Sequence, residues 1–168
     1  MKSGACAMPT RQGGIESSGS NIWIRSWKRR SLKPKRVWRR GESPLCSVLV
    51  YRGEIIGRGH DRRVQDGIVV MHAETNALER AGRQPVAVYA ESVLYTTLSP
   101  CPMCSGAILL YKIPKVVVGE SQTFLGNEAL LRSRGVAIPH AKNAHCVGLM
   151  RRFTAANPAL WNKDIGKE

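Results

Sequence analysis

From residue 45 onward the apolar positions fall into short runs whose period changes along the chain. Cys46-Ser47-Val48-Leu49-Val50-Tyr51 and Ile55-Ile56-Gly57-Arg58-Gly59-His60 are rich in β-formers, and the turn Arg52-Gly53-Glu54 between them predicts a hairpin. Residues 61–66 read as a polar loop, and residues 68–71 are an apolar run. Ala73, Ala77 and Ala81, with Leu78, then repeat at helical spacing, so residues 73–80 predict an amphipathic helix ended by Ala81-Gly82. Val93-Leu94-Tyr95-Thr96-Thr97-Leu98 predicts a strand, and Ser99-Pro100 leads into a helix that opens at the cysteines and runs through Leu110. Ile113-Pro114 breaks that helix, and residues 115–119 are a continuous apolar strand of the kind covered on both faces. A short helix over 128–133 closed by Gly135, an edge strand at 136–138 and an amphipathic helix over 143–155 follow. A last helix has Pro158 at its first position. The sum is an α/β chain, a three-layer α/β/α sandwich around a mixed central sheet of about five strands.

Charge divides the chain in two. Its 168 residues fit one domain, which buries a core without disulfide support. The net charge is +14, but residues 1–40 carry eleven Lys and Arg against the single acid Glu16, so the basicity is concentrated at the N-terminus. Residues 1–41 are therefore set apart as a basic N-terminal segment, with the folded domain over 42–168. Within the segment, Gly13-Gly14 and Ser17-Ser18-Gly19-Ser20 have a flexible-tail composition. Residues 23–40 interleave Trp23, Trp27 and Trp38 with cations, either as a solvated basic tail or as an arm that stacks on nucleic-acid bases. Any nucleic-acid contact is expected through these residues alone. No run of about 18 apolar residues is present, so no membrane contact is expected, and there is no apolar leader segment. Five cysteines, an odd number with two in one thiol motif, point to a reducing, cytoplasmic setting.

That motif carries the chemistry. His72-Ala73-Glu74 followed by Pro100-Cys101-Pro102-Met103-Cys104 is an H-x-E and P-C-x-x-C pattern. Imidazole nitrogen and thiolate sulfur are good zinc ligands, and three of them (His72, Cys101 and Cys104) leave a fourth tetrahedral position open. One Zn²⁺ per subunit is expected. Glu74 is the candidate catalytic proton carrier, since a carboxylate beside an activated water can take a proton and pass it on. A lone C-x-x-C also occurs in redox motifs and structural zinc sites. A structural site would need a fourth Cys or His, yet Cys6, Cys46 and Cys146 are solitary. Closure by His60, His140 or His145 would leave no place for water.

With these residues in place, the chain resembles the cytidine deaminase-like superfamily, and within it the small fungal-type cytosine deaminases. The resemblance is carried by Gly57-Arg58-Gly59-His60, His72-Ala73-Glu74, Tyr95-Thr96-Thr97-Leu98-Ser99-Pro100-Cys101, Met103-Cys104, Ile113-Pro114, Val117-Val118-Gly119-Glu120, Arg134-Gly135 and Trp161-Asn162-Lys163-Asp164-Ile165-Gly166. It implies a homodimer and zinc-dependent hydrolysis of the exocyclic amine of a free base, cytosine to uracil and ammonia. It further implies that Phe124 and Trp161 pack around the ring, that Leu45, Ala73 and Ser99 line the pocket, and that Asp61 and Asp164 meet ring edges. The small-molecule partner is thus a nucleobase or related heterocycle.

Two departures stand out. The family has Asn where this chain has Asp61, and an ionised carboxylate cannot donate to a ring carbonyl. Asp61 facing the ring would favour a substrate with N–H or NH₂ at that edge, such as guanine or an isocytosine-like or imino heterocycle. The alternative is an Asp61 protonated, turned away or bridged by water. Residues 1–41, in turn, lack the family's first Ala/Glu-rich helix. One reading is a frame or start error, because GAG glutamate codons read one base out of phase give AGG arginine codons. A tRNA adenosine deaminase and an inert nucleic-acid-binding protein are the remaining alternatives; intact Glu74 opposes the second.

Overall fold

The computed structural model describes residues 43–167. The basic segment 1–41, with its 23–40 arm, its frame reading and Cys6, lies outside the described residues. Strands β1 (Cys46–Tyr51) and β2 (Glu54–His60) form the expected hairpin, turning at Arg52 and Gly53, both with positive φ. There follow α1 (Arg63–Asp66), α2 (Ala73–Ala81), α3 (Val86–Ala90), β3 (Ser92–Leu98), α4 (Pro102–Leu110), β4 (Lys115–Glu120), α5 (Glu128–Ser133), α6 (Ala144–Ala156) and α7 (Pro158–Asp164). The strand order is β2-β1-β3-β4; β1 pairs antiparallel with β2 and β3, while β3 and β4 are parallel. A parallel pair needs a crossover, and α4 supplies it.

Alternation along the strands divides the core between two faces. Leu49, Leu94, Val116 and Val118 point to one face, where Ala77, Leu78 and Ala81 of α2, Tyr89 of α3, Ile108 of α4 and Leu131 of α5 cover them. Their neighbours Val48, Val50, Tyr95 and Val117 point to the other, against Cys146 and Leu149 of α6. Helices on both faces of one mixed sheet make the three-layer sandwich.

Two local readings are corrected, and one element is added. The described sheet has four strands, because residues 137 and 140 make only isolated parallel bridges to Lys115 and Val118. The backbone does run beside β4, with Val116 N donating to Ala137 O and Val118 N to Pro139 O. Pro139, however, has no N–H to return, so the ladder is broken. Residues 63–66 form one helical turn instead of a loop, ended by Gly67 at φ 67°. The helix α3 was not expected from Val86-Ala87-Val88, whose β-branched members disfavour helix; Pro85 sets the entry and Val88 N donates to Pro85 O at 3.0 Å. Among the described residues no helix is long and apolar enough to cross a membrane.

The strand β2 packs with its backbone directly against α2. A Cβ on Gly59 would overlap the carbonyl oxygen of Ala73 and the amide nitrogen of Ala77, and one on Gly57 would overlap the carbonyl oxygen of Ala77. Only glycine lets the strand backbone rest directly on the helix backbone. Gly59→Ala is expected to lower stability by about 2–3 kcal/mol, the upper range for overpacking. A urea or thermal unfolding curve checks this, and an unchanged midpoint would refute the contact.

Candidate active site

The site is assembled where two helices begin. His72 is the N-cap of α2 and Cys101 the N-cap of α4, with nearly the same extended backbone (φ −69°, ψ 167° and φ −69°, ψ 170°). Each carbonyl accepts the first helical bond, from Asn76 N at 2.8 Å and Ser105 N at 2.9 Å. The positive ends of both helices thus face one another across the site and favour thiolate there. Cys104 adds a third ligand from the first turn of α4. The ligand atoms of His72, Cys101 and Cys104 lie within 4.8 Å of one another, with Cys101 Sγ 3.5 Å from His72 Nδ1. No other trio of His, Cys, Asp or Glu among the described residues is so arranged. One imidazole and two thiolates, half-buried to buried, are a soft donor set that fits zinc.

The three candidate ligands are shifted in different directions. Cys101 is lowered to about 4 by the hydrogen bond from Cys104, assisted by His72 and opposed by burial. Cys104 is pushed far up by that same bond and by burial. Burial pulls His72 down, but its bond to Cys101 and the charges of Cys101 and Glu74 leave it raised overall.

Glu74 sits in the first turn of α2, 7% exposed, and burial raises its pKa. Oε1 accepts from Thr96 Oγ1 at 2.6 Å, and Thr96 in turn accepts from Ser47 Oγ at 3.0 Å across the β1–β3 pair. Oε2 faces Cys104 Sγ at 3.4 Å. Thr96 and Ser47 fix one oxygen and leave the other on the metal-ligand side, the arrangement needed for a carboxyl that takes up and gives back a proton. Neither hydroxyl was legible as functional, since Ser and Thr facing each other in strands are ordinary sheet pairs.

Asp61 is 2% exposed and directly follows β2. Its carboxylate accepts from Arg63, at 3.0 Å from the backbone N, 3.1 Å from Nε and 2.5 Å from Nη2. The same guanidinium reaches Asp164 at the end of α7, 3.0 Å to Oδ2 and 3.1 Å to the carbonyl oxygen. Burial raises the pKa of Asp164, and Arg63 opposes the rise. Trp161 of α7 meets Phe124 edge-on, with centroids 6.1 Å apart, in a cluster with Leu45, Leu98, Met150, Phe153 and Leu160. Asp61 N donates to Leu45 O at 3.1 Å, so Leu45, Asp61, Asp164, Phe124 and Trp161 are brought together. Ala73 is buried, and its backbone N–H, first in α2, has no acceptor within the helix. The Ser99 hydroxyl is taken up within the protein: it donates to buried Glu128 at 2.8 Å and accepts from Gly126 N at 3.0 Å. Glu128 also holds His140 Nε2 at 2.7 Å, which fixes the loop behind Pro100. The Ser99 backbone N–H donates to Glu120 O at 3.0 Å, which leaves its carbonyl oxygen to meet a ligand.

The sequence matches the family described as the cytidine and deoxycytidylate deaminase zinc-binding region over residues 23–120. The chain belongs to this deaminase family. It is 42% identical to a cytosine deaminase of Candida albicans over 134 residues, which cover 79% of this chain and 89% of that one. A tRNA-specific adenosine deaminase of Streptococcus pyogenes is 42% identical over 93 residues, 54% of this chain and 58% of its own length. In fold the chain is similar to a guanine deaminase from Nitrosomonas europaea (TM-score 0.58, 20% identity, 77% of this chain and 84% of that one). The fold and the fungal-type resemblance read from the sequence are those of the family.

Glu74→Gln keeps the candidate ligands and removes the candidate proton carrier, so it is expected to lower turnover by about a thousandfold, within the range for a lost acid–base group. Metal analysis should find its zinc content unchanged, whereas Cys101→Ala and Cys104→Ala lose the metal. Zinc affinity should fall as pH falls, because protons compete for the Cys104 thiol and the His72 imidazole, both held above their ordinary values. Competition with a chelator at pH 6, 7 and 8 checks the sign.

Proposed function

We propose that the protein is a zinc-dependent hydrolytic deaminase of a free nucleobase, with cytosine as its substrate, forming uracil and ammonia. The observation that carries this reading is the placement of α7. It holds Trp161 edge-on to Phe124 and brings Asp164, 8% exposed at the side chain, onto Arg63 beside the end of β2. Such a cover suits a small planar ring better than a base within a polymer, which must thread its backbone past the same helix. The extended likeness to the Candida cytosine deaminase, through 134 residues, supports the same choice.

The chain's own groups divide the work. His72, Cys101 and Cys104 would hold the zinc, which supplies Lewis acidity and a water made acidic near neutral pH. Glu74 Oε2 takes one proton from water and delivers it to the ring nitrogen, then carries the second, from the added hydroxyl, to the departing amine. Overall a C–N bond breaks, a C–O bond forms and one water is consumed. Phe124 and Trp161 supply aromatic surface for the ring. Asp164 can accept from a ring N–H, and the Ala73 N–H at the start of α2 can donate to a ring carbonyl.

Ammonia release by the zinc-loaded protein, measured on cytosine, guanine, adenine and an adenosine-bearing RNA stem-loop, tests the proposal. Turnover of cytosine is expected, with Trp161→Ala raising KM about tenfold or more through loss of a stacking face. Turnover of guanine or of the RNA without cytosine would overturn it.

A further inference from the structure

On the deaminase reading, which the following rests on, a buried side chain between β2 and α7 selects the ring. Two buried carboxylates, Asp61 and Asp164, share one cation. Side-chain exposures are 3% for Asp61, 8% for Asp164 and 11% for Arg63, so water does little to screen the cluster. Guanidinium has five N–H donors in a fixed plane. Nε and Nη2 bind Asp61, Nη2 also meets Asp164 Oδ2, and Nη1 binds the Asp164 carbonyl. The backbone N–H of Arg63 adds a further bond to Asp61 Oδ1. Both oxygens of Asp61 are thus occupied from within the protein. Asp164 gives Arg63 one carboxylate oxygen, and among the described residues its Oδ1 takes no hydrogen bond.

We infer that Arg63 is a positioning and specificity-determining residue: it withdraws Asp61 from the substrate and fixes Asp164, with α7 and Trp161, as the carboxylate that reads the ring. The forked geometry matters, because a bidentate Arg–carboxylate pair fixes orientation as well as charge. The selected base offers one ring N–H, to Asp164, and needs no second donor for Asp61. Cytosine meets that requirement without a 2-amino group.

Asp61→Asn separates the possibilities. If Asp61 faced the ring, an amide would supply a donor and improve cytosine turnover. Because it serves Arg63, the variant is expected to raise KM for cytosine about three- to tenfold, with kcat changed less. Arg63→Gln should raise KM about tenfold or more, Arg63→Lys should lie between it and the wild type, and Asp61→Asn combined with Arg63→Gln should be no worse than Arg63→Gln alone. In the full-length, zinc-loaded protein, amide hydrogen exchange over residues 158–167 should quicken in Arg63→Gln. A gain in kcat/KM for Asp61→Asn, or unchanged KM and exchange in Arg63→Gln, would overturn the inference. Absence of ammonia release from every base by the wild type would instead defeat the deaminase reading, and exchange over 158–167 would still decide whether Arg63 ties down α7.

Discussion

The site depends on a contact between two backbones. Gly57 and Gly59 let β2 lie directly against α2, where any side chain would collide with helix carbonyl and amide groups. That contact sets the height and direction of α2, and with them the position of His72 at its cap and Glu74 in its first turn. Since β2, β1 and β3 are hydrogen-bonded neighbours, the same placement is transmitted to Leu98, from which the chain turns into Cys101. Buried Asn76 reinforces it: its side-chain oxygen accepts from His60 N at 3.1 Å, and its amide donates to Glu79 at 2.9 Å. Strand end and helix are held by hydrogen bonds as well as by packing.

Once α2 and α4 converge, their N-termini create an electropositive place in which thiolate and carboxylate are tolerated. Burial alone would keep such groups neutral. The structure answers with pairing: Cys101 with Cys104 and His72, Glu74 with Thr96, Glu128 with Ser99 and His140, Asp61 with Arg63. Asp61, Glu74 and Glu128 are buried close to the candidate ligands, while the excess of cations lies early in the sequence.

Much of this was legible in the sequence. The H-x-E and P-C-x-x-C pattern singles out the side chains that the fold brings together as candidate ligands, with Glu74 beside them, because metal chemistry restricts which residues can serve and at what spacing along a helix start. Strand and helix order was legible because apolar positions alternate or repeat at helical spacing wherever one face is buried. The edge at 136–138 misled because its apolar residues signal burial, while Pro139 removes the donor that a strand there would need. Ser99 was expected at the pocket, yet its hydroxyl serves Glu128, a residue 29 positions away.

What the sequence determined by itself was local: which residue types can bind zinc, which segments alternate or turn, and where helices begin and end. Those properties follow from neighbours within a few positions. Tertiary structure alone decided the partner of each buried charge. Asp61 in sequence is a carboxylate where an amide was expected; in the fold it is one end of a bridge through Arg63 to Asp164, a hundred residues on. No periodicity encodes that bridge. It exists because burial makes an unpaired charge costly, and only the folded chain brings the partner within reach.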